Sequence, residues 1–90
     1  MNNPRRKKIE KISKSIEEIQ ILINECSTDL EEIRDEEEES MYNLPESLQG
    51  SEKYEKMEAA YEKLDTSVDE LNDVVDSLQD ILGYLEEARE

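Results

Sequence analysis

Two long stretches of the chain carry apolar residues at spacings that alternate between three and four. The first stretch holds Ile9, Ile12, Ile16, Ile19, Ile23, Cys26, Leu30 and Ile33. The second holds Tyr54, Met57, Tyr61, Leu64, Val68, Leu71, Val75, Leu78, Leu82 and Leu85. A period of about 3.5 residues kept over this length predicts two helices packed as a left-handed coiled coil. No strand-like alternation competes with this pattern.

One segment between the two stretches has the composition of a turn. Pro45 interrupts the helical pattern, and Gly50 is suited to end a turn. Ser51 follows directly and suits the N-cap of the second helix. The sequence therefore predicts an all-α fold with one helical-hairpin domain over residues 1–90. Its predicted elements are a helix at about 5–41, a turn at 42–50 and a helix at about 51–88.

The two apolar stretches can be aligned with each other, because facing residues of an antiparallel hairpin have numbers with a constant sum. The pairs that satisfy this condition are Ile33 with Tyr61, Leu30 with Leu64, Cys26 with Val68, Ile23 with Leu71, Ile19 with Val75, Ile16 with Leu78, Ile12 with Leu82 and Ile9 with Leu85. The midpoint of this register falls inside the predicted turn. We expect an antiparallel two-helix coiled-coil hairpin in which Cys26 is a small core residue.

Further apolar residues widen the stripe beyond what one partner helix covers. In this register Leu22 takes a g position and Ile21 an f position, and the second helix carries apolar or small g residues. We expect a docking face for a second copy or another protein, with a homodimeric antiparallel four-helix bundle as the simplest closed arrangement. The alternative is a lone hairpin with a few exposed apolar residues. The residues of the expected face are Ile21, Leu22, Ala60, Val74, Ile81 and Ala88.

Composition narrows the classes of function. The 90 residues include one cysteine and no histidine. A disulfide framework and a multi-thiolate zinc site are therefore excluded, and the commonest general base is missing. We expect no enzymatic activity, no cofactor and no metal site. No apolar run is long enough for a membrane span or a signal peptide, so we expect a soluble, cytoplasmic protein that does not bind membranes.

Net charge is the strongest functional signal. The chain has 26 acidic and 11 basic residues, a formal charge of −15, and most of its basic residues lie in positions 1–14. We expect the hairpin to place this basic start beside Asp80, Glu86 and Glu87, which would neutralise the open end.

The acidic middle of the chain has two interpretations. It is either a solvated coiled-coil exterior or a surface that imitates a nucleic-acid backbone and binds the basic nucleic-acid-binding surface of a partner protein. In the second case the protein does not itself bind nucleic acid. The candidate partner-binding acids are Glu31, Glu32, Asp35, Glu36, Glu37, Glu38, Glu39, Glu62, Asp65, Asp69, Asp73 and Asp76. The turn tip is either a small apolar cluster that holds the turn or a site that recognises a partner protein. Its residues are Tyr42, Leu44, Pro45, Leu48 and Tyr54.

The turn also carries a resemblance to known proteins. The string Asn43-Leu44-Pro45-Glu46-Ser47-Leu48-Gln49, followed by Tyr54, Met57, Ala60 and Leu64, resembles small acidic helical proteins encoded by bacteriophages and mobile elements of Gram-positive bacteria. The resemblance covers about residues 30–85 and implies no catalytic or binding residues.

Two functions follow as expectations. Small acidic phage proteins are often inhibitors of host defence or DNA-processing enzymes, and some are DNA mimics. The resemblance therefore implies a phage-type inhibitory protein, anti-defence or anti-CRISPR-like, in the cytoplasm of a bacterial host. The alternative is a structural or assembly coiled coil that self-associates or docks a partner helix through its apolar face.

Overall fold

The computed structural model describes residues 1–90 and consists of two long helices joined by a tight turn. Helix α1 spans Asn3–Tyr42, a 3-10 turn spans Glu46–Leu48, and helix α2 spans Glu52–Ala88. The molecule measures 70 × 15 × 13 Å, and its radius of gyration is 20.2 Å. A globular chain of this length would have a radius of gyration of about 12 Å. The predicted all-α antiparallel hairpin is confirmed, and its shape is a rod.

Local signals set the ends of both helices. The Asn2 side chain accepts a hydrogen bond from the Arg5 backbone amide at 2.9 Å, so α1 begins before its predicted start. At the other junction Gly50 has a φ of +79°, a conformation that costs other residues a steric penalty. The Ser51 hydroxyl then accepts a hydrogen bond from the Tyr54 amide at 3.3 Å and caps α2.

The Gln49 side chain fastens the turn to the end of α1. Its amide nitrogen donates to the carbonyl oxygens of Met41 at 3.3 Å and Leu44 at 3.1 Å. The Met41 carbonyl also accepts from the Leu44 backbone amide at 3.3 Å, so the end of α1 and the segment after it share these bonds. The turn geometry is therefore fixed by hydrogen bonds rather than by a large apolar plug.

The contact between the two helices differs from the predicted register in every second layer of α1. The residues of α1 that lie against α2 are Arg6, Ile9, Ser13, Ile16, Gln20, Ile23, Ser27, Leu30, Arg34, Glu37 and Met41, and we call them the α1 seam. The layers built on Ile9, Ile16, Ile23 and Leu30 keep their predicted residues in half-buried positions.

For the other α1 layers the prediction was wrong. Ile12, Ile19, Cys26 and Ile33 were expected in the core, but all four are exposed. The residues that follow them in sequence, Ser13, Gln20, Ser27 and Arg34, occupy the seam instead. One helix can cover only one side of an apolar stripe this wide, and here α2 covers the side where it can also offer polar partners.

Burial in the single hairpin is slight. Val68 is the one buried apolar residue, at 2% exposure, and Ser27 is the one buried polar residue, at 4%. All other seam residues keep part of their surface exposed. The hairpin therefore holds its shape with a very small core.

Candidate functional site

A row of cross-helix hydrogen bonds runs along one side of the seam. Ser27 donates to the Asn72 side-chain oxygen at 3.1 Å. The Gln20 side chain donates to the Val75 carbonyl at 3.3 Å and to the Gln79 side chain at 3.2 Å. We call this side of the hairpin the polar flank. Its bonds satisfy the side chains of Gln20 and Ser27, which take the seam positions predicted for Ile19 and Cys26.

Arg34 extends the polar flank toward the turn. Its guanidinium lies 3.2 Å from an Asp35 carboxylate oxygen and 3.0 Å from one of Asp65. Hydrogen bonding to Asp35 raises the pKa of Arg34, and the bond to Asp65 adds to this effect against desolvation. The Arg34 side chain is only 22% exposed. It therefore neutralises Asp65 on the polar flank and the exposed Asp35, and it offers little positive charge to the outside.

A groove opens on the polar flank near the turn, with a volume of about 360 Å³. Its lining residues are Glu38, Met41, Tyr42, Tyr54, Glu58, Tyr61 and Glu62, and we call it the tip groove. Three of the four tyrosines of the chain meet here with three carboxylates. A hydrogen bond to the Glu38 carboxylate, reinforced by the charge of that carboxylate, raises the pKa of Tyr61.

The chemistry of the tip groove suits a cationic side chain. Ammonium and guanidinium groups bind both to aromatic ring faces and to carboxylates. Tyr42 is 78% exposed, so its ring is available at the edge of the groove. Glu58 and Glu62 are exposed as well and add charge at the rim.

The predicted partner-binding acids lie in four different places. Glu31, Glu38 and Asp65 are half-buried on the polar flank. Glu37 is half-buried in the seam, and Glu36 lies on the opposite side of α1 from the polar flank. The remaining acids are exposed on the outer surfaces of the two helices: Glu32, Asp35, Glu39, Glu62, Asp69, Asp73 and Asp76.

The other side of the seam carries no cross-helix hydrogen bonds and is apolar. On α1 it consists of the four displaced seam residues together with Leu22, and on α2 it consists of residues at the predicted g positions and Tyr84. We call this side the apolar face. Its members are Ile12, Ile19, Leu22, Cys26, Ile33, Ala60, Val74, Ile81, Tyr84 and Ala88.

Exposure on the apolar face is large. Leu22 is 60% exposed, Ile12 53% and Tyr84 67%. Ile21, which was predicted to belong to this face, is 59% exposed but lies about 100° further round α1 than the seam residue Gln20, away from the apolar face. Tyr84 was not predicted to be part of it.

Only some of the apolar residues at the turn tip are buried against the hairpin. Met41, Leu44 and Tyr54 are half-buried, whereas Tyr42 and Leu48 are exposed. Pro45 precedes the 3-10 turn and takes no part in the tip groove. Of the predicted tip residues, only Tyr42 and Tyr54 line that groove.

At the open end the start of α1 lies beside the end of α2. No ion pair joins the basic start of α1 to Asp80, Glu86 or Glu87. The Arg6 guanidinium instead donates to the backbone carbonyls of Arg89 and Glu90, both at 2.8 Å. A cation at this position satisfies the end of α2, where the helix dipole is negative.

Sequence reasoning missed Tyr61, Glu58 and Tyr84 as surface features. A signal for the polar flank was nevertheless present, since Ser13, Gln20, Ser27 and Arg34 recur every seven residues in α1. Asn72 and Gln79 show the same spacing in α2. Two polar repeats with the heptad period indicate a hydrogen-bonded seam rather than a solvent-facing surface.

No known protein family, curated protein or solved structure matches the chain. Neither helix combines the length and apolar character needed to cross a membrane. No group of three or more acidic or cysteine side chains is arranged to hold a metal ion.

Proposed function

We propose that the protein is a non-catalytic inhibitor that binds the basic nucleic-acid-binding surface of another protein. The contact surface is the acidic outside of the hairpin, with the tip groove as its specific part. The partner loses access to its nucleic acid because the acidic rod occupies the same arginine and lysine side chains. The phage-type, anti-defence role implied by the sequence resemblance belongs to this proposal.

The observation that carries the proposal is the tip groove. An acidic exterior alone keeps a coiled coil in solution, and such an exterior needs no aromatic residues. In the tip groove, however, Tyr42, Tyr54 and Tyr61 stand beside carboxylates within a concave site. This arrangement is specific for one cationic side chain of a partner.

The density of charge supports the same proposal. A net charge of −15 over a length of 70 Å gives one negative charge per about 4.7 Å. Duplex DNA carries one per about 1.7 Å. Cations of the chain are concentrated away from the acidic middle, so the local density there is higher than this average. A cationic surface that evolved to bind phosphates would be attracted to it.

A capture experiment tests the proposal. Tagged protein is incubated with a nuclease-treated lysate of a Gram-positive bacterium, and bound proteins are identified by mass spectrometry. We expect recovery of a nucleic-acid-binding protein, with release by duplex DNA and by raised salt. Capture that resists both would contradict the proposal, and so would recovery of the bait alone.

A pair of variants tests the role of the tip groove. Glu58→Gln/Glu62→Gln removes two exposed charges from the groove, and Asp73→Asn/Asp76→Asn removes two exposed charges from α2 elsewhere. We expect the groove variant to bind the captured partner at least about tenfold more weakly than the control variant. Equal weakening would show that only the total charge matters and would overturn the groove as the specific site.

One observation favours a second function. The apolar face is wide and exposed, as in a structural or assembly coiled coil that docks a helix of another protein. Binding of that kind would be insensitive to salt and DNA. It would be lost in Val74→Lys/Ile81→Lys and kept in the groove variant.

A further inference from the structure

We propose that the apolar face is a homodimer interface, in which two hairpins pack face to face with their turns at opposite ends. The product is an antiparallel four-helix bundle. This inference concerns the side of the hairpin opposite the tip groove, and it stands or falls independently of the proposed function.

The accessible surface of one hairpin is larger than that of a typical folded monomer of this size. It measures 6827 Å², whereas a folded monomer of 10.5 kDa exposes about 5,400 Å². The excess is about 1,400 Å², and a standard interface buries about 800 Å² on each partner. With Val68 as the one buried apolar residue, a second layer of helices would supply the missing core.

The apolar face has the dimensions of such an interface. From Ile12 to Ile33 it extends about 30 Å along α1. The half-buried seam residues Ile16, Ile23 and Leu71 lie beside it and keep part of their surface exposed. Packing a second copy here would bury both the face and the remaining exposed part of the seam.

Charge identifies a second copy as the occupant. The heptad rows that carry the apolar face hold five cations and three acids, in a chain with a net charge of −15. The cations are Arg5, Lys8, Lys53, Lys56 and Lys63, and the acids are Asp29, Glu36 and Glu70. Glu18 and Glu25 flank Leu22 on its outer edge, but this is still the side on which two such acidic chains repel each other least.

The order of these charges sets the orientation. On α1 the cations Arg5 and Lys8 lie near the open end, and Asp29 and Glu36 lie toward the turn. When the turns are at opposite ends, α1 packs against α1 of the other copy, and each basic end meets an acidic one. With the turns at the same end, the two acidic tips would repel each other.

The two-fold axis passes close to Leu22, because this residue lies near the middle of the α1 stripe between Ile12 and Ile33. Leu22 would then face Leu22 of the other copy, as an isologous interface requires. The two tip grooves remain free at opposite ends. The dimer carries twice the charge over a similar length, about one negative charge per 2.3 Å.

Neighbouring residues of equal exposure provide the test of the interface. Leu22 is 60% exposed on the apolar face, and Ile21 is 59% exposed off it. By analytical ultracentrifugation at micromolar concentrations we expect a dimer for the wild type and for Ile21→Glu. Leu22→Glu should weaken dimerisation about 100-fold, because it places two unpaired carboxylates at the axis. A monomeric wild type, or equal behaviour of the two variants, would overturn the interface.

Disulfide cross-linking tests the orientation. In a Cys26→Ser background, Leu22→Cys should form cross-linked dimers on oxidation, since the residue faces itself across the axis. Ser47→Cys, in the turn, should not form them, because the turns lie about 70 Å apart. Cross-linking through Ser47→Cys in preference to Leu22→Cys would contradict the antiparallel arrangement. Circular dichroism of each variant shows whether the helices are retained.

Discussion

The polar flank and the apolar face lie on opposite sides of the same seam. They differ in whether their side chains have partners within the hairpin. On the polar flank Gln20, Ser27 and Arg34 each have a partner on the other helix, as Ser27 has Asn72 and Arg34 has Asp65. On the apolar face Leu22 and Tyr84 extend from the surface without a partner. The hairpin is thus complete on one side and incomplete on the other, which is why we assign a cationic ligand to one side and a second copy to the other.

The largest expected effect comes from breaking the seam that holds the two sides together. Val68 is 2% exposed in the seam, and Val74 is 44% exposed on the apolar face. Val68→Asp should unfold the hairpin, because a buried carboxylate costs several kcal/mol and a small domain has only about 3–5 kcal/mol to lose.

Val74→Asp is the matched control for this prediction, since it makes the same substitution in the same helix. In urea unfolding followed by circular dichroism, it should keep the helical hairpin under dilute conditions. Similar losses in both variants would mean that the seam is not where the structure places it.

A smaller effect is expected from the polar flank alone. Ser27→Ala removes the hydrogen bond to Asn72 and should cost about 1 kcal/mol of unfolding free energy. The higher helix propensity of alanine offsets part of this loss. Ser77→Ala, at an exposed position of α2, measures that offset separately. If the two alanine variants were equally stable, the Ser27 bond would contribute nothing.

The smallest expected effect concerns the tip groove, where the Glu38 carboxylate raises the pKa of Tyr61. A raised pKa in the folded state means that the neutral phenol is favoured by folding. This contribution is present below the ordinary tyrosine pKa of about 10 and is lost as the pH rises through the higher folded value.

Tyrosine titration by NMR measures this shift. The Tyr61 resonance, assigned with Tyr61→Phe, should titrate at a higher pH in the wild type than in Glu38→Gln. If Glu38→Gln left the Tyr61 pKa unchanged, the Glu38 carboxylate would not lie within hydrogen-bonding distance of Tyr61 in the tip groove.

Much of the fold was predictable because its causes are local. The heptad spacing predicted both helices, and Pro45, Gly50 and Ser51 predicted the turn between them. Ile16, Leu30, Leu64 and Leu78 were placed in the seam correctly, since their positions follow from the spacing alone. The tip groove was predictable only in part: Tyr42 and Tyr54 were named, but Tyr61 was assigned to the core and Glu58 was not considered.

The sequence by itself determined two amphipathic helices, their antiparallel pairing and the unequal distribution of charge. Only the tertiary structure decided how α1 is rotated about its own axis, and therefore whether Cys26 or Ser27 faces α2. The apolar stripe of α1 is wider than one seam, so burial alone does not choose between its two sides. The choice depends on hydrogen bonds between residues far apart in sequence, such as Ser27 and Asn72. Those bonds exist only once the helices are side by side.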